Sequence, residues 1–340
     1  MVHAPGQILS MGAAHTVQLI DDPNTFVGIA TASAAVVGGG TLYFYKLSAA
    51  NPHQRRSFQT IELPPKYVPY IHNFGLTKQH VVVVLQPMSM SIGLGDLHRG
   101  TMSKAIKPWN KDRLASSIAV VPLDGSNTIF FYLDKPFWSV HVVNTFENAT
   151  AITMDVNSYP ASPWGDPIQD LVNRRNKTAR DASLGRPQIY RVILHIAGPL
   201  KGKHFISNIT SPLQYTDFPV INPSVNGMDY CIFYANEQWT NGVEMGSQAI
   251  VRYDLCEGTV KRWHRMNVYP AEPAFLGAGE REEDGWVFFV ALHGEEKVSY
   301  MHVLNASTME EVEGVQLPTF IPFSAHGRIF PLGSLKSKQA

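Results

Sequence analysis

Short apolar runs broken by turn residues recur along the whole chain, and the longest, such as Val81–Leu85 and Trp286–Leu292, have the length of a strand. Segments rich in Val, Ile, Tyr, Phe and Thr, bounded by Gly, Pro, Asn and Asp, read as β-strands. They are Thr41–Leu47, His80–Gln86, Ser117–Leu123, Thr128–Leu133, Ser139–Glu147, Ala151–Val156, Gln188–Ile196, Tyr230–Ala235, Ala249–Leu255, Val260–Met266, Gly285–Leu292, Tyr300–Leu304 and Gly314–Leu317. Turn signals fall between them, as in Asp124-Gly125-Ser126-Asn127 and Cys256-Glu257-Gly258-Thr259, and the second predicts a hairpin between its flanking strands.

Helical periodicity is thin. Pro167–Asn176 alone spaces Ile168, Leu171 and Val172 on one face, with Asp166 as a cap. Composition does not shift along the chain and no linker divides it, so residues 1–340 read as one all-β domain. Strands at this spacing without alternating helices fit a sandwich, a barrel or a propeller. No repeat is visible, which argues against a regular WD-type propeller.

Composition narrows the function classes. The 340 residues are 44% hydrophobic and 16% charged, which excludes a disordered chain. Lys plus Arg and Asp plus Glu both total 28, and this neutral balance argues against nucleic-acid binding, which needs a basic surface. Cys231 and Cys256 make no disulfide framework and point to a reducing compartment, with a single bridge left open. No run approaches the roughly 18–20 apolar residues of a membrane span. Met1–Ser10 lacks a charged region followed by an apolar one, so a secretory signal is not expected. The sequons at Asn148, Asn176, Asn208 and Asn305 are then expected to be unused. The expected location is intracellular, cytoplasmic or plastid, and not secreted.

Local motifs carry little chemistry. None of the 13 histidines stands in a compact metal motif. Gly38-Gly39-Gly40 lacks the Gly-Lys-Ser/Thr of a phosphate loop, and Gly93-Leu94-Gly95 lacks the rest of a dinucleotide fingerprint. Arg174, Arg175, Lys177 and Arg180 read as a solvated basic loop before an anionic-lipid site. No Gly-x-Ser-x-Gly elbow supports serine hydrolysis.

Longer segments, taken in order, change the picture. They are Gly12-Ala13-Ala14-His15; Tyr70-Ile71-His72-Asn73-Phe74-Gly75-Leu76-Thr77 followed by a strand ending Gln86-Pro87; and His141-Val142-Val143-Asn144-Thr145-Phe146-Glu147. Then come Asp217-Phe218-Pro219-Val220-Ile221-Asn222-Pro223, Tyr269-Pro270-Ala271-Glu272-Pro273, Glu282-Glu283-Asp284-Gly285-Trp286, the segment from Met309 to Pro318, and Ile321-Pro322-Phe323-Ser324-Ala325-His326-Gly327. Each alone is weak. The ordered set resembles the carotenoid cleavage oxygenase family, which includes retinoid isomerases and stilbene-cleaving relatives.

That resemblance implies a seven-bladed β-propeller with one Fe(II) on its axis. Carried over by motif, the ligands are His15, His72, His141 and His326, each from a different blade. It implies carboxylates at Asp217 and Glu272 behind the ligands, which accept the remote N–H of a ligand ring. Asp217 stands where the family uses Glu and is one methylene shorter, so it must sit closer or act through a water. Glu147 reads as structural, bonding a neighbouring backbone. Phe74, Trp138 and Phe323 flank ligand histidines and are candidates for a substrate tunnel or for ordinary core packing. The implied partners are an apolar polyene and O2, with peripheral membrane contact through an apolar patch and no nucleic acid. The implied reaction is oxidative cleavage of a carotenoid or apocarotenoid double bond. Isomerisation or ester cleavage of a retinoid on the same iron, stilbene cleavage, and a non-catalytic propeller that binds apolar ligands are the alternatives. Family chains carry more sequence before the first histidine, so the first blades are expected to be missing or incomplete here.

Overall fold

The computed structural model describes residues 7–34, 39–65, 67–90, 106–108, 116–159, 186–210, 214–238, 248–322 and 325–327. Contacts divide the chain into two compact units, Met1–Thr210 and Ser211–Ala340. The fold is all-β, and the single helix among the described residues is a 3-10 turn at Pro223–Val225.

The first unit is built of antiparallel meanders. Strands β1 (Gln7–Gly12), β2 (Val17–Gln18), β3 (Thr25–Ala34), β4 (Gly39–Ser48) and β5 (Asn51–Pro65) form a sheet of order β1-β3-β4-β5, with β2 also on β3. The next strands are β6 (Gly75–Leu76), β7 (His80–Leu85), β8 (Met88–Met90), β9 (Ile106–Pro108), β10 (Ser117–Pro122) and β11 (Ile129–Tyr132). The second sheet runs β6-β7-β10-β11, and β8 pairs with β9 as a separate ribbon. Strands β12 (Val142–Glu147), β13 (Ala151–Ser158), β14 (Gln188–His195) and β15 (His204–Asn208) form the third sheet in chain order.

Burial explains the unbroken Val run of β7. Side chains alternate across a strand, so Val81 and Val83 face one way and Val82 and Val84 the other. Val81 and Val83 pack with Val27, Ile29, Leu42 and Phe44 of the first sheet. Val82 and Val84 pack with Ile152, Met154, Val192 and Leu194 of the third. The second sheet is covered on both faces, and such a strand reads as a continuous apolar run.

The second unit repeats the meander. Strands β16 (Thr216–Val220), β17 (Ile232–Gln238), β18 (Gln248–Asp254) and β19 (Thr259–His264) form a sheet in chain order. Strands β20 (Val268–Pro270), β21 (Ala274–Gly277), β22 (Gly285–His293), β23 (Val298–Asn305) and β24 (Glu311–Gln316) form another, with β20 and β21 both on β22. Ile232, Tyr234, Ile250 and Trp263 meet Val287, Phe289 and Leu304 in the core. The hairpin expected at Cys256–Thr259 joins β18 to β19, with Gly258 at φ +66°.

Cys231 and Cys256 are bonded to one another, tying the start of β17 to that turn. The single bridge left open is formed, and the reading of a reducing compartment loses support. The expected helix at Pro167–Asn176, the basic cluster at Arg174, Arg175, Lys177 and Arg180, and Gly93-Leu94-Gly95 lie outside the described residues. No helix among the described residues is long and apolar enough to cross a membrane.

Candidate metal centre

His15, His72, His141, Asp217 and Glu272 sit on or beside the opening strands of the sheets, and His326 follows β24. His15 lies in the step between β1 and β2, where Gly12 pairs with Ala30 and Val17 resumes at Val27. The backbone leaves β3 over those few residues, and the N–H groups of Ala14 and His15 donate to the His72 carbonyl at 3.0 and 3.3 Å. His72 stands just before β6. His141 stands just before β12, where Asn157 Oδ1 accepts the N–H groups of Val140 and His141 at 2.9 and 2.8 Å. The Asn157 N–H returns to the His141 carbonyl at 2.9 Å, so a buried side chain from β13 clamps this ligand segment.

These backbone anchors bring three imidazoles together. Ring centroids are 5.0 Å apart for His15 and His72, 4.9 Å for His72 and His141, and 5.8 Å for His15 and His141. Every pair meets edge-on, at 63° to 84°. Each ring offers a nitrogen within 4.8 Å of the others. His15 Nε2 and His72 Nε2 are 3.3 Å apart. Two nitrogens each about 2.1 Å from one shared ion would subtend about 100° at that separation. The donors are all neutral and nitrogen-based, a set that suits a divalent transition metal and not Mg²⁺ or Ca²⁺. The residues present therefore fit a metal of the expected kind.

The remote nitrogen of His72 has its own partner. Tyr70 Oη lies 2.9 Å from His72 Nδ1. Burial pushes the Tyr70 hydroxyl above its ordinary value and keeps it neutral. Glu147 bonds backbone, as its reading required: its Oε1 accepts the Gln79 N–H at 3.0 Å, and its Oε2 lies 2.7 Å from His80 Nδ1. Burial works to raise the Glu147 carboxyl, but its hydrogen bonds to His80, Thr77 and Gln79 outweigh that and hold it below the usual range.

In the second unit His326 pairs with Glu272, which lies between β20 and β21. His326 Nδ1 is 3.2 Å from Glu272 Oε2 and 3.3 Å from Oε1, and Oε2 also accepts the Gly327 N–H at 3.0 Å. The hydrogen bond to Glu272 raises the His326 pKa above 6.5, and the negative charge of Asp217 works in the same direction. Asp217 is buried on β16, and its Oδ1 accepts the Phe218 N–H at 2.7 Å. The Phe218 ring meets His326 edge-on at 5.8 Å. Phe218 and His326 both hold positive φ, at 53° and 59°. Non-glycine residues in that region store about 1–3 kcal/mol each and cluster where function demands it. A cavity of about 160 Å³ opens beside the pair, lined by Ala271, Glu272, Phe288, Val290, Met301 and His326.

The remaining candidates are placed as follows. Phe74 is buried in the core cluster with Leu76, Val81 and Val83. Trp138 is buried, and its carbonyl accepts the Tyr159 N–H at 2.8 Å. Phe323 lies outside the described residues. Sequence reasoning named neither Tyr70 nor Phe218 as a site residue. Tyr70 is two residues from His72, and neighbours at that spacing share one side of an extended chain; Phe218 directly follows Asp217.

A family model for RPE65, the retinal pigment epithelial membrane protein, matches residues 13–331. The chain belongs to that family. Family relatives include the mitochondrial carotenoid-cleaving dioxygenase of Pongo abelii, 22% identical over 307 residues, covering 77% of this chain and 53% of the relative. The chloroplastic carotenoid cleavage dioxygenase 8 homolog A of Oryza sativa subsp. japonica is 25% identical over 286 residues, covering 77% and 48%. Torulene dioxygenase of Fusarium fujikuroi is 25% identical over 303 residues, covering 80% and 51%. A solved Synechocystis apocarotenoid oxygenase mutant shares the fold at a TM-score of 0.75 and 22% identity, covering 96% of this chain and 65% of that one. Cobalt-substituted Synechocystis apocarotenoid oxygenase gives a TM-score of 0.72 at 20% identity, with 96% and 65% covered. The fold is thus that of the carotenoid-oxygenase β-propeller, and the chain spans about half the length of the curated relatives it matches.

Proposed function

We propose that this chain carries the non-haem Fe(II) centre of a dioxygenase that cleaves a carbon–carbon double bond of a carotenoid or apocarotenoid. The observation that carries this reading is the convergence of His15, His72 and His141, each with one ring nitrogen within 4.8 Å of the others. His326 is assigned as the fourth ligand on its motif, and its pairing with Glu272 is the carboxylate–histidine arrangement that orients a metal ligand. Asp217 is assigned the same duty in the second unit. The dioxygenase names of the relatives support the reaction class, and their carotenoid names support the polyene.

Iron bound there would supply O2 binding and activation beside the polyene. The protein's share is geometry. Neutral imidazoles leave the ion's charge uncompensated, and Glu272 and Asp217 offset it from behind. Both oxygen atoms enter the products, one on each carbon of the broken bond, so two carbonyls form and no side chain has to act as acid or base. Apolar walls must hold the double bond still, and Trp138 is assigned to that lining. Peripheral contact with a membrane would deliver so apolar a substrate.

Turnover under ¹⁸O2 tests the proposal. The full chain, loaded anaerobically with Fe(II), is given a carotenoid, an apocarotenoid and a retinyl ester. Two carbonyl fragments, each carrying one ¹⁸O when hydrolytic exchange is suppressed, are expected from one of the polyenes. Isomerised retinoid without oxygen incorporation, or no product from an iron-loaded chain, contradicts it.

A further inference from the structure

Strands β4 and β5 set two cations against each other. In their register Lys46 pairs with Arg56, and Ser48 pairs with Asn51. Paired residues put their side chains on one face of the sheet, and like charges placed directly opposite repel. A nearby carboxylate would relieve that repulsion. Among the described residues, no aspartate or glutamate forms an ion pair with Lys46 or Arg56. Asp22, before β3, is engaged elsewhere: it accepts the Thr25 hydroxyl at 2.6 Å and the Asn24 N–H at 3.0 Å. Lys46 is held in place without a counter-charge. Its Nζ donates to the Leu123 carbonyl at 3.2 Å and lies 5.2 Å from the centre of the Phe58 ring.

A cavity of about 500 Å³ opens on these residues, lined by Lys46, Ser48, Asn51, Gln54, Arg56 and Phe58, and no acidic side chain lines it. Ser48 Oγ accepts the Ala50 N–H at 3.2 Å, which leaves its own O–H to donate. With the Asn51 and Gln54 amides, the lining offers two cations and three neutral donors to one occupant. We infer that this groove binds a phosphate monoester, either a small soluble one or the headgroup of a phosphatidic acid. A phosphate monoester carries about −1.5 to −2 charges near pH 7, enough to offset both cations. The planar fork of Arg56 suits two phosphate oxygens, and the ammonium of Lys46 serves as a point charge. Phe58 gives the organic part of the ester an apolar wall. The inference draws on no residue of the histidine centre, and it stands or falls separately from the proposed reaction.

The test is calorimetric titration of the full chain with glycerol phosphate, beside co-sedimentation with vesicles of phosphatidylcholine, plain or containing phosphatidic acid. Arg56→Gln and Lys46→Gln each remove one cation, and Lys201→Gln, at an exposed turn, is the control. Losing a charge-assisted hydrogen bond is expected to weaken binding about tenfold or more. Lys201→Gln is expected to match the parent. Saturable binding of glycerol phosphate with that loss supports the soluble ester as ligand. Retention on phosphatidic-acid vesicles alone, with the same loss, supports the headgroup. A parent that binds neither, or an Arg56→Gln protein that binds as well as the parent, overturns the inference. Thermal melts give a readout that needs no variant. An anion that relieves the Lys46–Arg56 repulsion raises the parent's midpoint in phosphate above that in chloride at equal ionic strength. Equal midpoints overturn the inference even if both variants fail to fold.

Discussion

His326 and Glu272 show how a single contact becomes measurable. Glu272 holds the imidazolium form, so in the metal-free chain His326 titrates above 6.5. Its folded pKa exceeds the unfolded value, so any stability it lends is present below about pH 6.5 and fades as pH rises through the raised pKa. Glu272→Gln removes the acceptor charge, and an NMR titration should then find His326 lower than in the parent; an unmoved midpoint would contradict the pairing. Metal content follows the same residue logic. His72→Ala and His141→Ala should lose most bound metal, whereas His80→Ala and His264→Ala should keep it, because His80 is committed to Glu147 and His264 is exposed on β19. Elemental analysis of the folded variants reads the difference. The histidine candidates were legible only through long motifs, since His15, His72 and His141 are far apart in the chain and no local spacing links them. Tyr70 was not, because a tyrosine near a histidine says nothing until the distance between Oη and Nδ1 is known.

Strands carry the next set of expectations. Gly75 in β6 lies against buried Thr145 of β12, and a Cβ at Gly75 would overlap the threonine side chain. Thr145 is short and β-branched and cannot swing away, so Gly75→Ala should destabilise the first unit by about 1–3 kcal/mol, read as a lower denaturant midpoint. In the second unit a bridge closes a separation of 25 residues, and removing it with Cys231→Ala and Cys256→Ala should cost about 3 kcal/mol. The last sheet holds a buried pair, His293 and His302, with Nε2 atoms 3.0 Å apart in nearly parallel rings. Desolvation lowers the His302 pKa below 6.5 despite Glu311 at its Nδ1. A lowered histidine pKa means the unfolded chain binds the extra proton first, so stability is full above about pH 6.5 and falls as pH drops. His302→Gln should flatten that slope in thermal melts taken between pH 5 and 7; an equal slope would contradict it. Strands with long runs of β-branched and aromatic residues were legible, as with His80–Leu85 and Gly285–His293. β3 hid behind small residues, Ala and Ser among them, and β5 behind its polar Asn51–Arg56 start. The short first strands β2, β6, β20 and β21 hid because they span only two to four residues.

At the scale of the molecule, successive antiparallel meanders each present an opening strand, and the segments on or beside those strands carry His15, His72, His141, Asp217 and Glu272. The second sheet, buried on both faces, gives the segment of His72 the support that a ligand set drawn from distant parts of a chain requires. A metal held this way needs no local motif, and the absence of one in the sequence follows from the architecture. The proposed function turns on His15, His72 and His141 holding one iron. Anaerobic titration of the purified full chain with Fe(II), read as iron retained after gel filtration, tests it most directly. About one iron per parent chain is expected, with strong loss in both His72→Ala and His141→Ala because each removes one of the few ligands. A parent that retains no iron, or folded variants that retain as much as the parent, would contradict it.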